Sequence, residues 1–183
     1  MTKIVLPGEP LVDGPTVLRP WRDTDVRAVA EACRDPEIAR WTSVPENYSE
    51  ADARAFLLYR YDAMLAGTTA PFAIVSEADR LLGSVALMRL AWEHRRGEVG
   101  YWLAGWSRGQ GHATRALRLI CRWGFEALGI ERIDLFAATG NTSSQRVAER
   151  GGFVREAVLR AYLRAKDGQQ DMVAYSLLAG EAA

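Results

Sequence analysis

Cysteine and histidine are scarce in this chain of 183 residues, with two of each. Cys33 and Cys121 are too few for a disulfide framework, and neither belongs to a C-x-x-C pair. With His94 and His112 as the only imidazoles, a Cys/His zinc site is not expected, and no metal is assigned. Net charge is missing as well: 23 Lys and Arg balance 23 Asp and Glu. A protein that grips phosphate backbones carries a basic excess, so no nucleic acid is expected as partner. No apolar run approaches the roughly 20 residues of a membrane helix. The first ten residues lack the apolar stretch of a secretory signal. No membrane partner is therefore expected, and the expected compartment is cytoplasmic.

What is present describes a folded domain. Hydrophobic residues make up 49% and charged residues 25%, which suits a chain with a real core. No repeat or linker divides it, so residues 15–183 read as one domain behind a loosely held arm, residues 1–14, rich in Pro and Gly. All seven prolines fall at or before Pro71, leaving the rest free for long elements. Residues 16–19 read as a strand stopped by Pro20. Asp23 or Thr24 caps a helix with Val26, Val29, Ala30 and Cys33 on its apolar face, which Pro36 is expected to end. Ser49 with Asp52 resembles a capping box for a helix that stops near Gly67. Residues 71–75, 81–90 and 98–103 have strand length and apolar content. Ala113, Ala116, Leu117, Ile120, Cys121, Gly124 and Leu128 mark one face of the most regular helix. A strand over 133–139, a short helix capped by Asn141 or Thr142, and two strands over 153–159 and 172–178, antiparallel and joined across Asp167 and Gly168, complete a mixed α/β chain.

The informative unit is strand, glycine loop, long helix. The loop reads Arg108-Gly109-Gln110-Gly111-His112-Ala113, followed by Thr114. Two glycines permit backbone shapes other residues avoid. They precede a helix, whose unpaired N–H groups and positive dipole end converge there. That is an anion site suited to phosphate, and Arg108 adds a cation able to contact it. A Walker loop is excluded because no Gly-Lys-Ser/Thr follows. A dinucleotide fingerprint is excluded because Thr114 stands where its third glycine is needed, and the next strand ends without an acid.

Arg108-x-x-Gly111-x-Ala113 resembles the (Q/R)-x-x-G-x-(G/A) signature of the GNAT N-acetyltransferase superfamily. Leu18-Arg19-Pro20-Trp21, Gly100-Tyr101-Trp102-Leu103, and Asn141 and Ser144 followed by Gly152-Phe153 are similar to its RimJ/RimL-like branch. The resemblance spans residues 16–178. It implies an α+β fold: a mixed, mostly antiparallel central sheet with helices on both faces and splayed central strands, departing from pairing around residues 103–106.

The resemblance also implies acyl transfer from acetyl-CoA, a co-substrate, to a primary amine within a ternary complex. Backbone N–H groups of Gly109, Gln110, Gly111, His112, Ala113 and Thr114 would hold the pyrophosphate. The free backbone of Tyr101, Trp102 and Leu103 would pair with the pantetheine arm, and an N–H near Leu103 would polarise the thioester carbonyl. Asn141 would bind the pantetheine amides, and Ser144 would supply the proton or hydrogen bond to the departing thiolate. Glu98 is the candidate base, because only a neutral amine attacks and a Lys amine titrates near ~10.4, an α-amine near ~7.7–8.0. Glu93 and His94 are weaker alternatives, and His112 is expected to face solvent. Among Trp21, Trp41, Trp92, Tyr101 and Tyr162, the preferred acceptor walls are Trp41 and Tyr101. The acceptor is a peptide N-terminus or a small-molecule amine. Alternative readings are a succinyl-CoA-dependent transferase and a non-catalytic CoA-binding or sensing protein. A homodimer is an expectation of the resemblance.

Overall fold

Proline and short strands account for the main departures from the expected element order. The computed structural model describes residues 4–166 and 168–181; residues 1–3 and Asp167, part of the expected junction between the last strands, lie outside the described residues. Leu11–Asp13 (β1) pairs antiparallel with Thr16–Arg19 (β2), and Ile4 is buried in the core, so residues 4–14 lie against the body rather than apart from it. Three residues are too few for alternation to announce a strand. Val26–Ala32 (α1) is followed by Pro36–Trp41 (α2). Pro36 does not end the preceding helix, which stops at Ala32; it starts one. It stands at the first helical position, where a missing N–H is harmless, while Asp35 caps by accepting from the Glu37 N–H at 2.9 Å. Glu50–Leu65 (α3) begins at the Ser49/Asp52 capping box that the sequence predicts.

Ala70–Val75 (β3), Leu81–Ala91 (β4) and Arg96–Leu103 (β5) follow. Then come His112–Leu128 (α4), Arg132–Ala138 (β6), Thr142–Arg150 (α5), Val154–Ala165 (β7) and Gly168–Leu178 (β8). One sheet holds all eight strands in the order β1-β2-β3-β4-β5-β6-β8-β7. Every neighbour pair is antiparallel except β5 and β6, which run parallel because α4 carries the chain between them.

Alternation along the central strands feeds two cores. Phe72, Ile74, Val85, Leu87, Val99, Ile133 and Leu135 pack with Leu117 and Ile120 of α4. Ala73, Val75 and Trp102 pack on the other face with Val29, Ala30, Ala53 and Leu57 of α1 and α3. Helices thus lie on both faces, but α1–α3 cover only the N-terminal half of the sheet. None of these helices is long and apolar enough to cross a membrane.

Two polar devices fix the edges of this arrangement. Arg19, 4% exposed, makes a two-pronged pair with Asp25 at 2.8 Å on each prong, and its Nε reaches Asp79 at 2.6 Å. This ties β2, the start of α1 and the β3–β4 turn together. At the other edge the β7–β8 hairpin bulges at Ala161, whose N–H donates to Asp171 at 2.8 Å. The bulge lets Tyr162 stack on Phe136 of β6, ring centres 5.1 Å apart. Beyond it, Lys166 Nζ donates to the carbonyls of Ala39 (3.1 Å) and Val44 (2.8 Å), locking the hairpin to the α2–α3 segment.

Candidate active site

β5 and β6 stay paired only over Arg96↔Arg132, Gly97↔Ile133 and Glu98↔Asp134. Beyond Glu98 they part, earlier than the expected 103–106, while β5 keeps its register with β4 as far as Gly83↔Leu103. The Ala104 N–H still points at β4, donating to Leu82 at 2.9 Å. Alternation then turns the N–H and C=O groups of Val99, Tyr101 and Leu103 into the open gap. Trp102 is not part of this edge: its main chain faces β4 and its ring sits in the α1–α3 core. The gap lies at the carboxyl ends of two parallel strands, where α/β sheets bind ligands.

The glycine loop sits at the mouth of this gap. Ser107 anchors it by donating to Leu82 (2.7 Å) and Ala104 (2.8 Å), and the Trp106 indole donates to Leu81 at 3.0 Å. Gly109 and Gly111 then take φ of +75° and +81°, values costly to any L side chain. Gly111 caps α4 without a side chain, and the first helical bond runs from the Arg115 N–H to Gly111 O at 3.1 Å. The N–H groups of His112, Ala113 and Thr114 are therefore left without helical acceptors. A Cβ at Gly109 would meet nothing within 4 Å, so the loop's outer side is open to a diphosphate. These residues fit that group.

Two side chains of the loop differ from expectation. Arg108 is engaged within the protein, on Asp35 Oδ2 at 2.8 Å and Leu103 O at 3.1 Å, so it braces the loop against α2. The cation nearest Gly111 is instead Arg115, donating to Gln110 O at 2.9 Å. Its place one turn into α4 is the signal that could have found it. His112 does not face solvent: it is buried, its Nδ1 2.8 Å from Thr16 Oγ1. Thr16 on β2 is fully buried, so the ring joins β2 to the start of α4. Burial pulls the His112 pKa below its ordinary value, and Arg115 adds to this. The unfolded chain therefore takes up the proton first, and the contribution is full above about pH 6.5 and lost as pH falls below it. His112→Gln should flatten the fall in Tm between about pH 6.5 and pH 5, measured by thermal scans in matched buffers. An unchanged slope would remove His112 from the acid response.

The start of α5 closes the gap from one face. Asn141 Oδ1 accepts from the Ser144 N–H at 3.0 Å, so Asn141 is the cap. Ser144 Oγ lies 3.0 Å from the Tyr101 hydroxyl, a pairing between β5 and α5 that local sequence cannot reveal. Burial lifts the Tyr101 pKa to about 12, against a smaller opposing effect of the Ser144 bond, so the phenol stays protonated. Glu98 stands on the opposite face of β5, the face of Trp102. It is 17% exposed and paired with Arg89 at 2.5 Å. Its pKa is raised, because desolvation and the nearby Asp134 outweigh the Arg89 guanidinium.

The acceptor walls divide. Trp41 comes within 3.5 Å of where a Cβ on Gly140 would stand, so it reaches the β6–α5 turn; its indole donates to Glu37 at 3.1 Å. Tyr162, on Phe136, floors the same face of β6. Trp92 is spent elsewhere, donating to Gly67 at 2.7 Å, and Trp21 lines a separate cavity. Glu93 and His94 are exposed in the β4–β5 turn and pair with each other at 3.4 Å.

Comparison with known proteins agrees with this geometry. Residues 16–154 match the family described as acetyltransferase (GNAT) domain. The chain is 33% identical over 145 residues to "Putative ribosomal N-acetyltransferase YdaF" of Bacillus subtilis (strain 168), covering 79% of each. The fold is shared with RimL, the ribosomal L7/L12 alpha-N-protein acetyltransferase in complex with coenzyme A (TM-score 0.84, 18% identity, 93% of this chain and 98% of that one). It is also shared with spermidine N-acetyltransferase from Vibrio cholerae in complex with CoA and spermine (TM-score 0.80, 22% identity, 93% and 99%).

Proposed function

The chain belongs to the GNAT acetyltransferase family, so acetyl-CoA is its co-substrate and N-acetylation its reaction, and we propose that the acceptor is the α-amino group of a protein N-terminus, which attacks the thioester carbonyl directly in a ternary complex. The observation that carries the acetyl-transfer reading is the parting of β5 and β6 beside the uncapped start of α4, with Tyr101 and Ser144 joined at 3.0 Å on one face of the gap. The N–H groups of 112–114 hold the diphosphate, and the main chain of Tyr101 and Leu103 pairs with the pantetheine arm. The bound thioester supplies the activated acyl group. Glu98 takes the proton from the ammonium on its face. An α-amine, at about pH 7.7–8.0, asks less of that carboxylate than a Lys amine near ~10.4. On the other face the Ser144 hydroxyl donates toward the departing sulfur, and the Tyr101 hydroxyl donates in turn to Ser144. Leu103 N–H is directed into the gap, where a polarising donor is needed.

The name of the relative at 33% identity supports a ribosomal acceptor. Two free, buried cysteines suit a cytoplasmic protein, where thiols stay reduced. Val154 and Val158, exposed on the edge strand β7, support a homodimer through that edge.

Mass spectrometry of reactions with acetyl-CoA and succinyl-CoA, against N-terminal peptides and polyamines, tests the reading. Acetylated peptides are expected. Acetylated polyamine alone would move the acceptor to small amines. Absence of any product while acetyl-CoA still raises Tm would leave a CoA-sensing protein. Glu98→Gln should lower kcat/KM about 10²-fold at neutral pH, the low end of the range of a positioned base. It should also erase an acid limb that in the wild type lies above the ordinary Glu value of about 4.3. A limb that persists in the variant would remove Glu98 from proton transfer.

A further inference from the structure

A second cavity, of about 680 Å³, lies away from the β5–β6 gap, between the β2–α1 turn, the outer side of α3 and Pro71 at the start of β3. None of its lining residues belongs to β5, β6, the glycine loop or α5. Its walls are mostly apolar, formed by Leu57, Leu58, Tyr61 and Met64 of α3 and by Trp21. Leu58 and Tyr61 are 65% and 56% exposed, unusual for large apolar groups along one helix. Volume and lining are those of a site for a small organic molecule.

Its polar groups have one sign of demand. The Trp21 indole N–H and the Arg60 Nε–H are buried without a hydrogen-bond partner in the protein, the two such side-chain atoms among the described residues. Both are donors, and both belong to lining residues. The Arg60 guanidinium lies over the Phe56 ring, 5.1 Å from its centre, and Trp21 meets the same ring edge-on at 5.7 Å. Phe56 thus packs against both side chains that carry these donors. Burial pulls the Arg60 pKa below its ordinary value, and the nearby Tyr59 offsets this only in part. The other lining cations are spent: Arg22 pairs with Asp79 at 2.7 Å and Arg54 with Glu50 at 3.1 Å. One carboxylate, Asp23, stands in the lining against three guanidinium groups. A buried donor left unmatched is costly, and a buried cation more so.

We propose that this cavity binds an amphipathic monocarboxylate, a medium-chain fatty or arylalkyl acid. Its carboxylate accepts from Trp21 Nε1 and the Arg60 guanidinium, and its apolar body lies along Leu57, Leu58, Tyr61 and Met64. The site is independent of the acetyl-transfer reading, and its test reads binding rather than turnover.

The probes are octanoate and 1-octanol, titrated into the full chain below their aggregation limits and followed by the indole N–H signals in two-dimensional NMR. Trp21→Phe, which keeps a ring on Phe56, identifies the Trp21 signal. Octanoate is expected to shift that signal and to bind at least tenfold more tightly than 1-octanol. Saturating coenzyme A should leave that affinity unchanged. Arg60→Met, which keeps the apolar stem, should abolish the tenfold preference while the acetyl-CoA affinity stays at the wild-type value. Equal binding of acid and alcohol would overturn the proposal. So would displacement of octanoate by coenzyme A, or a Trp21 signal that ignores octanoate.

Discussion

Gly111→Glu should weaken acyl-CoA binding by about 10²–10³-fold, roughly 3–4 kcal/mol, read by calorimetry. Three effects add in the same direction. At φ +81° an L side chain costs on the order of 1–2 kcal/mol. Relaxing that strain turns the N–H groups of 112–114 away from one point, and hydrogen bonds to a charged group contribute about 1.5–3 kcal/mol each. The new carboxylate also projects toward Arg115, whose Nη1 is 2.9 Å from the position of a Cβ there, and so neutralises the nearest cation. Gly111→Ala separates these effects. The atom it would crowd is the end of a flexible side chain, so strain alone remains and the loss should stay within about tenfold. Undiminished coenzyme A affinity in Gly111→Glu would sink the assignment of this loop.

Asp25→Ala carries the largest expected cost in stability. It removes both prongs of the Arg19 pair and leaves a buried guanidinium with Asp79, itself half exposed. Removing one partner of a buried pair costs about 3–5 kcal/mol. For a chain of this size that is a fall in Tm of roughly 6–20 °C. The joined replacement Arg19→Met with Asp25→Leu should recover most of the loss, because buried pairs often exchange for apolar groups near neutrality. Urea denaturation checks both. A loss under about 1 kcal/mol for Asp25→Ala would mean that solvent reaches Arg19.

The parts of this molecule that announce themselves locally were legible. The period of α4, the glycines before it, the Ser49 box and the Asn141 cap each depend on residues a few positions apart. Relations between distant segments were not. The early parting of β5 and β6 is decided by which pairs of two strands meet. The Tyr101–Ser144 contact joins a strand to a helix on its far side. Asp35, which takes Arg108 away from the phosphate loop, lies in a helix cap that nothing near Arg108 points to. Thr16, which draws His112 inside, is on the second strand. Proline is compatible both with the stop of one helix and with the first turn of the next; the Asp35 side chain, capping α2, decides for the second. The positions of the glycine loop, Ser144 and Glu98 on their elements follow the local sequence; Arg115 beside Gly111 and the inward turn of Trp102 came from the fold.

Glu98 and Tyr101 are separated by an odd step along one strand, so parity alone keeps them on opposite sides. A single-residue deletion between them would erase no functional group. It would nonetheless bring both to the same side of the sheet, or drag every later side chain of β5 through to the wrong core. The chemistry of this cleft is therefore written partly in counting, and length in those few residues is as constrained as identity.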